Sequence, residues 1–293
     1  MKVIARIKGG VGNQLFCYAA ARRLALANGA ELVLDDVTGF VRDHLYRSEF
    51  GLGHFSIHAR RATAAERLEP FERYRRGVLK WFSRARPYGK RPYVEQEGCA
   101  FDRRLLDLKM RGTVYIDGLW QSARYFEDVA LTIREDLRIK PPRDVKNHRL
   151  AAEMAQRVAV AVHVRWFKPS GSTGPSNVKA SYYDDAISLV ERQMSSPHYY
   201  IFSDDPATAR AHLSIPEDRA TFVSHNQGPD SAYADLWLMT QCRHFITANS
   251  TFSWWGAWLG GGDSKLVVTP SLRADGIGQW GFDGLIPESW MQL

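Results

Sequence analysis

Segments with the pattern of strands alternate with segments of helical pattern through the second half of this 293-residue chain. Strands are predicted at residues 158–164, 199–202, 221–223, 245–248 and 266–269, and helices at 181–194, 231–241 and 252–259. Because parallel strands need a crossover connection, usually a helix, this alternation predicts a parallel, doubly wound sheet. Ligands bind outside the carboxyl ends of the strands in such sheets, so the residues that follow each strand are the first candidates for a site.

The N-terminal residues predict a βαβ unit of the same class. Its elements are a strand (Val3–Ile7), a glycine loop (8–13), a helix (Gln14–Asn28) closed by Gly29, and a second strand (Glu31–Leu34). The loop glycines allow a tight turn and a close approach of the backbone to a ligand.

A glycine loop before a helix is also found in dinucleotide-binding domains, where an acidic residue follows about 20 residues later. Gly10 and Gly12 fit that motif, and Asp35 and Asp36 end the second strand. However, Leu15 occupies the position of the third glycine, and no later segment suits a nicotinamide. We therefore disfavour a dinucleotide site.

Polar residues lie at the carboxyl ends of three of the predicted strands in the second half. They are His163 and Arg165, then Ser203-Asp204-Asp205, and finally Asn249-Ser250-Thr251 before an apolar helix. Arginine binds a diphosphate through paired hydrogen bonds, aspartate accepts from the N–H groups of guanine, and a helix N-terminus with Ser or Thr binds phosphate. Their convergence on one edge predicts a site for a nucleotide sugar.

Each of these clusters also has a purely structural interpretation. His163 could be a strand-end histidine with satisfied hydrogen bonds, and Asp204 could cap a helix that begins at Pro206. Residues 249–251 could cap a buried helix without binding a ligand. The Asp204-Asp205 pair resembles a metal-binding carboxylate pair, although the adjacent proline argues against that role.

One segment carries the whole positive excess of the chain, whose net charge is +7. Residues 60–91 contain eleven Lys and Arg against three Glu, a surplus of eight. Within it, apolar residues recur at helical spacing among basic ones, which predicts an amphipathic basic helix; the apolar residues are Phe71, Tyr74, Val78, Leu79 and Phe82. Either the apolar stripe packs on the core, or the helix binds an acidic partner. Such a partner would contact this one segment, unlike a nucleic acid that follows the whole surface.

Several other classes are disfavoured. No run of 18 apolar residues predicts a membrane-spanning helix, and the N-terminus lacks the apolar region of a secretory signal. Cys17, Cys99 and Cys242 are widely spaced, and no Cys/His cluster suggests a metal. We therefore expect a cytoplasmic protein with reduced thiols.

Four regions of the chain, residues 2–28, 114–126, 158–165 and 200–259, resemble the bacterial α-1,2-fucosyltransferases of glycosyltransferase family 11. The most specific match is NSTFSWWGAWL, eleven consecutive residues from Asn249 to Leu259. GGVGNQLFCY at residues 9–18 resembles the family's opening, and GLWQSARYF at 118–126 resembles another motif, with Leu119 in place of the usual aromatic residue. His163-Val164-Arg165 and Ser203-Asp204 resemble two further motifs.

The resemblance implies an α/β, GT-B-like fold with two Rossmann-like domains and the chemistry in the cleft between them. The domains would be an acceptor-side domain at residues 1–140 and a GDP-sugar-binding domain at 141–293. The reaction would be an inverting transfer of L-fucose from GDP-β-L-fucose to a sugar 2-hydroxyl, giving an α-1,2 linkage in an O-antigen-like polysaccharide. The acceptor would be an oligosaccharide or a lipid-linked glycan. Neither a cofactor nor a metal is expected.

Site residues follow from the matched motifs. Arg165 would stabilise the leaving GDP, while Asp204, with His163, would recognise guanine. The expected catalytic residues are Arg165, His163 and Asn13. The expected substrate-binding residues are Gly10, Gly12, Gln14, Gln121, Lys168, Asp204, Asp205, Asn249, Ser250, Thr251, Phe252 and Ser253.

The chain departs from the family after Arg165. Where the family has a second arginine and then an aspartate, this sequence has Trp166 and Lys168. The lost aspartate removes a candidate base or sugar ligand, whereas Lys168 restores a positive charge at longer reach. There are therefore two alternatives. The chain could be a transferase for another GDP-sugar, or a non-catalytic protein that binds a nucleotide sugar or a glycan.

The basic segment from Arg60 to Arg91 suggests a second partner. We expect it to contact the anionic inner face of the membrane, or a lipid-diphosphate-linked acceptor, as a peripheral surface. The charge would come from Arg73, Arg75, Arg76, Lys80 and Arg84.

Overall fold

A computed structural model describes residues 1–41, 43, 48–165, 178–228, 231–271 and 280–293. The chain forms two compact units. The first comprises Met1–Arg138 with Asp283–Leu285, and the second comprises Ile139–Phe282 with Ile286–Leu293. The sequence placed the division at residue 140 and assigned one continuous segment to each domain.

The first unit is a parallel sheet with helices. Its strands are β1 (Lys2–Arg6), β2 (Glu31–Asp35), β3 (Arg60–Arg61), β4 (Tyr93–Glu95) and β5 (Thr113–Asp117), and its helices are α1 (Val11–Ala27), α2 (Glu72–Arg84) and α3 (Ala130–Asp136). The strand order is β3-β2-β1-β5-β4, with every neighbouring pair parallel. The order reverses between β1 and β5, so the glycine loop after β1 lies beside the residues that follow β5.

The second unit repeats this plan with a longer sheet. Its strands are β6 (Ala159–Val164), β7 (His198–Ser203), β8 (Ala220–Val223), β9 (His244–Ile246), β10 (Val267–Thr269) and β11 (Met291–Gln292). Its helices are α4 (Val145–Ala155), α5 (Ala180–Gln193), α6 (Pro206–His212), α7 (Ala232–Thr240) and α8 (Thr251–Leu259). The order β11-β10-β9-β6-β7-β8 is parallel throughout and reverses between β6 and β9.

The burial of the central strand indicates that both faces of the second sheet are covered. All six residues of β6 are buried, which is expected of a central parallel strand covered on both faces. Tyr182 of α5 donates a hydrogen bond to Thr247 O at 2.8 Å and lies in the same apolar core as Val160 and Ile246. The doubly wound parallel sheet predicted from the alternation is therefore confirmed.

Helix α2 reverses one expectation about packing. The apolar side chains of Phe71, which precedes the helix, and of Tyr74 and Phe82 are exposed, whereas Arg76 and Lys80 point toward carboxylates of the first sheet. The interpretation that packs the apolar stripe on the core is therefore wrong for these residues. Within the described ranges, no helix is long and apolar enough to cross a membrane.

Candidate functional site

A polar site lies at the reversal point of the second sheet. Arg165 follows β6 and Ser250 follows β9, and these two strands are neighbours. The Arg165 Nη1 atom lies 3.5 Å from Ser250 Oγ. A crevice forms where strand order reverses, because the connections leave the sheet in opposite directions. The structure therefore brings together two of the clusters predicted from sequence.

Ser250 also defines the start of helix α8. It is the N-cap residue, with extended backbone, and its Oγ accepts a hydrogen bond from Phe252 N at 3.3 Å. The positive end of the helix dipole is thus directed at the same point as the Arg165 guanidinium. Backbone amides, the helix dipole and a cation together favour a phosphate group there.

Ser253 supports this turn from inside. Its side chain is fully buried; its hydroxyl donates to Ser250 O at 3.2 Å and accepts from Ala248 N at 3.3 Å. These bonds fix the backbone between β9 and α8. The role visible for Ser253 is therefore to hold the turn, and its expected contact with substrate stays a prediction, as do those of Asn249 and Thr251.

His163 is a buried, neutral imidazole beside this helix. Burial, together with the smaller effect of the nearby positive charge of Arg165, lowers its pKa to about 3. Its ring lies 5.6 Å from the Phe252 ring, and its Nδ1 has no hydrogen-bond partner among the described residues. At neutral pH such a ring can donate one hydrogen bond and accept another. A neutral imidazole with so low a pKa is better suited to forming hydrogen bonds with a nucleobase than to abstracting a proton.

The two carboxylates of the second polar cluster, Asp204 and Asp205, have different positions and roles. Asp205 is the N-cap of α6, and it accepts hydrogen bonds from Thr208 N at 3.0 Å and Thr208 Oγ1 at 2.6 Å. The structural alternative had placed the cap at Asp204, so that assignment is wrong by one residue. Asp204 is exposed at the carboxyl end of β7, next to β6. The ligand contacts expected of Asp204 and Asp205 stay predictions.

Asn13 and Gln121 meet at the corresponding reversal point of the first sheet. Gln121 Nε2 donates to Asn13 Oδ1 at 2.7 Å, and both side chains are partly exposed. Asn13 is in the first turn of α1, while Gln121 follows β5. The pair offers amide donors and acceptors of the kind that bind hydroxyl groups.

Gln14 has a structural task in the same loop. It is buried, its Nε2 donates to Gly9 O at 2.7 Å and Glu49 O at 2.8 Å, and its Oε1 accepts from Gly51 N at 2.9 Å. Because its amide is committed to backbone groups, the contact with substrate expected of Gln14 is not visible here. It holds the glycine loop in place.

Gly9 is the glycine whose conformation the loop requires. Its φ of +74° lies in the left-handed region, and a Cβ there would be 2.8 Å from Asn13 Nδ2. Gly10 is the exposed N-cap of α1, with nothing within 4 Å of an added Cβ, and Gly12 is buried in the first turn. The open space above Gly10 would permit a ligand to approach the backbone.

Lys168, together with Trp166, lies outside the described residues.

Sequence reasoning missed a polar cluster after β8. Asn226 Nδ2 donates to Asp235 Oδ1 at 2.8 Å and lies 2.9 Å from Asn147 Oδ1, and burial raises the pKa of Asp235 to about 6. A cavity of about 370 Å³ lies beside it, lined in part by Asn147, His225, Asn226 and Tyr233. The only signal in the sequence was one acid within an otherwise apolar helix.

Within the described parts of the chain, no group of three or more His, Cys, Asp or Glu is arranged to hold a metal ion.

A sequence profile described as Glycosyl transferase family 11 matches residues 90–280, well over half of the chain. The chain belongs to glycosyl transferase family 11.

Two relatives of this family 11 glycosyltransferase match it along nearly its full length. Alpha-1,2-colitosyltransferase of Escherichia coli is 27% identical over 304 residues, covering 99% of this chain and 98% of the relative. O-antigen biosynthesis glycosyltransferase WbnK of Escherichia coli is 28% identical over 315 residues, covering 98% and 99%. Both names describe glycosyl transfer, and one names O-antigen biosynthesis.

Solved structures extend the comparison to the fold. The fucosyltransferase NodZ from Bradyrhizobium has a TM-score of 0.53 at 16% identity, covering 87% of this chain and 92% of its own. A crystal of NodZ α-1,6-fucosyltransferase soaked with GDP-fucose has a TM-score of 0.51, also at 16% identity, covering 88% and 92%. At such identity the likeness concerns the fold, and the predicted GT-B-like fold with two Rossmann-like domains is confirmed for this family 11 glycosyltransferase.

Proposed function

We propose that this glycosyltransferase moves L-fucose from GDP-β-L-fucose to a sugar 2-hydroxyl, with inversion, in the synthesis of an O-antigen-like polysaccharide. The observation that carries the proposal is the 3.5 Å approach of Arg165 Nη1 to Ser250 Oγ, at the reversal point where helix α8 begins. A cation and a helix N-terminus at one point suit the diphosphate of a nucleotide sugar.

In the proposed reaction, the acceptor hydroxyl oxygen attacks C1 of fucose on the face opposite the diphosphate. The C1–O bond to the diphosphate breaks as the new C1–O bond forms, and the proton of the acceptor hydroxyl passes to solvent water. The leaving GDP gains negative charge in the transition state. Arg165 and the start of α8 would stabilise that charge, in the manner of preorganised donors at other transferase sites.

Recognition of guanine would involve His163, near the carboxyl end of β6, and Asp204, which follows the neighbouring strand β7. A neutral imidazole and an exposed carboxylate offer the donor and acceptor groups that the edge of guanine can pair with. The acceptor would meet the Asn13–Gln121 pair, whose amides suit hydroxyl groups.

The second candidate is transfer of a colitosyl group from its GDP-activated form. The E. coli relative named α-1,2-colitosyltransferase matches this chain along 99% of its length, and the departure from the family motif at Trp166 and Lys168 comes directly after Arg165 in the sequence. The fold and the diphosphate site would serve both donors equally. Only the contacts to the sugar would differ.

Measuring GDP release distinguishes these possibilities. Purified protein would be incubated with GDP-β-L-fucose or GDP-colitose, with and without a β-galactoside acceptor, and the product linkage determined by NMR. Acceptor-dependent release with GDP-fucose, giving an α-1,2 product, is the expected result. Faster release with GDP-colitose would favour the second candidate. Binding of both donors without release would indicate a non-catalytic protein.

A further inference from the structure

Helix α2 exposes a continuous apolar face. Phe71 precedes the helix, and Tyr74, Val78, Trp81 and Phe82 follow it at helical spacing on one side. Their side chains are exposed by 76%, 73%, 37%, 66% and 52%, respectively. Trp81 and Phe82 pack edge to face with their rings 4.8 Å apart. Apolar exposure on this scale, concentrated in one helix, indicates an interaction surface.

The opposite side of α2 prevents the helix from turning this face inward. Arg76 Nη2 donates to Thr38 Oγ1 at 2.6 Å, and Lys80 Nζ lies 3.2 Å from Asp117. Ser83 is buried and accepts a hydrogen bond from Tyr93 N at 3.1 Å. Rolling the helix would break these polar contacts and expose the buried carboxylate, so the apolar face is held outward.

Positive charges surround the apolar face without being neutralised. Arg73, Arg75, Arg86 and Lys90 are exposed, and no described carboxylate lies within 4.0 Å of any of them. Arg75 donates to the backbone oxygen of Glu69 at 2.9 Å, a neutral acceptor. Glu72 is the one acidic residue of the helix. The surface therefore combines exposed aromatic rings with unpaired cations.

We infer that this face of α2 docks on a bilayer surface that contains anionic lipid. Trp, Tyr and Phe side chains favour the boundary between headgroups and acyl chains, and flanking Arg and Lys attract anionic headgroups. At 13 residues the helix is too short to span a bilayer, so it lies in the plane of the interface. A second copy fits less well, because the cations of the two faces would repel one another.

The inference corrects the charges assigned from sequence. Of the five basic residues expected to contact a membrane, Arg76, Lys80 and Arg84 are paired with carboxylates of the first unit. Arg73 and Arg75 are available, and Arg86 and Lys90 join them. Replacing Arg76 or Lys80 would leave a buried carboxylate short of a partner, so a test leaves the three paired residues unchanged.

Co-sedimentation with vesicles tests the inference on the full chain. Vesicles of phosphatidylcholine alone would be compared with vesicles containing phosphatidylglycerol, at low and high salt. We expect partitioning at least about tenfold stronger on the anionic vesicles, decreasing steeply with salt because the headgroup attraction is screened. Equal sedimentation with both kinds of vesicle, or none with either, would overturn the inference.

Matched variants locate the surface. Trp81→Ser with Phe82→Ser should weaken vesicle binding by about tenfold or more, because two interfacial rings are lost. Arg73→Gln with Arg86→Gln should weaken it by roughly fivefold per charge at low salt. Leu131→Ser with Val145→Ser is the control, since both residues are exposed by more than three quarters but lie on other helices.

Thermal melting and GDP release with a soluble acceptor should be unchanged in all of these variants. Wild-type binding that survives both α2 variants would overturn the assignment to this face. Concentration-dependent self-association that the Trp81 and Phe82 substitutions abolish, without vesicle binding, would instead identify a second copy as the occupant.

Discussion

Arg165 and His163 are two residues apart on one strand end but have opposite electrostatic tasks. Arg165 presents its charge to the start of α8, whereas His163 is buried and loses its own charge partly because of that arginine. One crevice can thus hold both a positively charged group that binds an anion and a neutral imidazole that forms hydrogen bonds with a nucleobase. This arrangement gives each residue a distinct experimental signature.

Arg165→Ala should reduce kcat by about a hundredfold or more without unfolding the protein. Loss of a preorganised donor to developing charge has effects of this size. The side chain is beyond the strand end, so the core remains packed. Initial rates of GDP release measure the effect, with Arg165→Lys as the variant that keeps the charge but loses the paired geometry. Retention of more than about a third of the wild-type rate would remove Arg165 from its proposed role.

His163 should make stability depend on pH below about 6.5. Its pKa is about 3 in the folded chain against about 6.5 in the unfolded chain, so below 6.5 the unfolded state binds a proton that the folded state does not. Stability is therefore full above pH 6.5 and falls toward pH 3, by at most about 1.4 kcal/mol per unit from this group.

Urea unfolding of wild type and His163→Asn across pH 4 to 8 measures this dependence. Other histidines with lowered pKa contribute to both proteins, so the difference between the two curves isolates His163. Curves that stay parallel throughout this range would contradict the buried, neutral assignment.

Sequence reasoning at the residue level identified positions better than tasks. It placed Arg165 and Ser250 at strand ends that converge on one edge of the sheet, and the structure brings them within 3.5 Å. It did not show that Ser253 and Gln14 are committed to backbone hydrogen bonds, or that Asp205 rather than Asp204 caps α6. Those roles depend on which backbone groups the folded turns leave nearby, and residue type does not reveal them.

At the level of elements, α2 shows where periodicity is insufficient. The spacing of its apolar residues correctly predicted an amphipathic helix. Which side faces the protein was decided by Asp35 and Asp117, the last residues of β2 and β5, far away in sequence. Buried carboxylates need cationic partners, and the basic side of α2 supplies them.

Asp117 is the centre of that arrangement. It is buried and pairs with Lys8 at 2.8 Å, Lys80 at 3.2 Å and Arg6 at 3.3 Å, and it accepts from Tyr93 Oη at 2.8 Å. Burial opposes its charge, but the charges of Lys8 and Arg6 prevail and lower its pKa. The pairing should therefore stabilise the fold above about pH 4 and weaken as the carboxylate is protonated at lower pH.

Asp117→Asn should destabilise the protein by about 3 kcal/mol at pH 7, since several partly buried cations lose their shared partner. Urea unfolding provides the measurement. Glu97→Gln is the matched control: Glu97 also pairs with two arginines, Arg91 and Arg104, but is 57% exposed, so its loss should cost less than about 1 kcal/mol. Similar losses in both variants would show that burial does not govern these pairs.

At the scale of the molecule, the fold was the most predictable feature. The strand and helix alternation predicted a doubly wound sheet, and the matched motifs predicted the family and its GT-B-like architecture. Short or polar elements such as β3, β4 and α4 were missed, because they lack enough residues or a clear apolar period. The contacts of donor and acceptor with individual residues stay predictions.

Transfer should continue in excess EDTA. The proposed diphosphate site is supplied with positive charge by Arg165 and the start of α8, and the carboxylate of Asp205 is engaged as a helix cap. GDP release by chelator-treated enzyme would be compared with the same enzyme after addition of Mg²⁺ or Mn²⁺. Activity that disappears in EDTA and returns with either metal would make Asp204 and Asp205 candidate metal ligands.

The last dozen described residues connect the two units twice. Asp283–Leu285 belong to the first unit, where Asp283 O accepts from Phe101 N at 3.4 Å, and the chain then returns to the second unit to form β11 beside β10. During synthesis, therefore, the first unit cannot acquire all its native contacts when residue 138 leaves the ribosome. It must wait until residues 283–285 emerge, by which time nearly all of the second unit is available to fold. Completion of the two units is thus coupled in time, and a truncation before residue 283 would leave both of them incomplete.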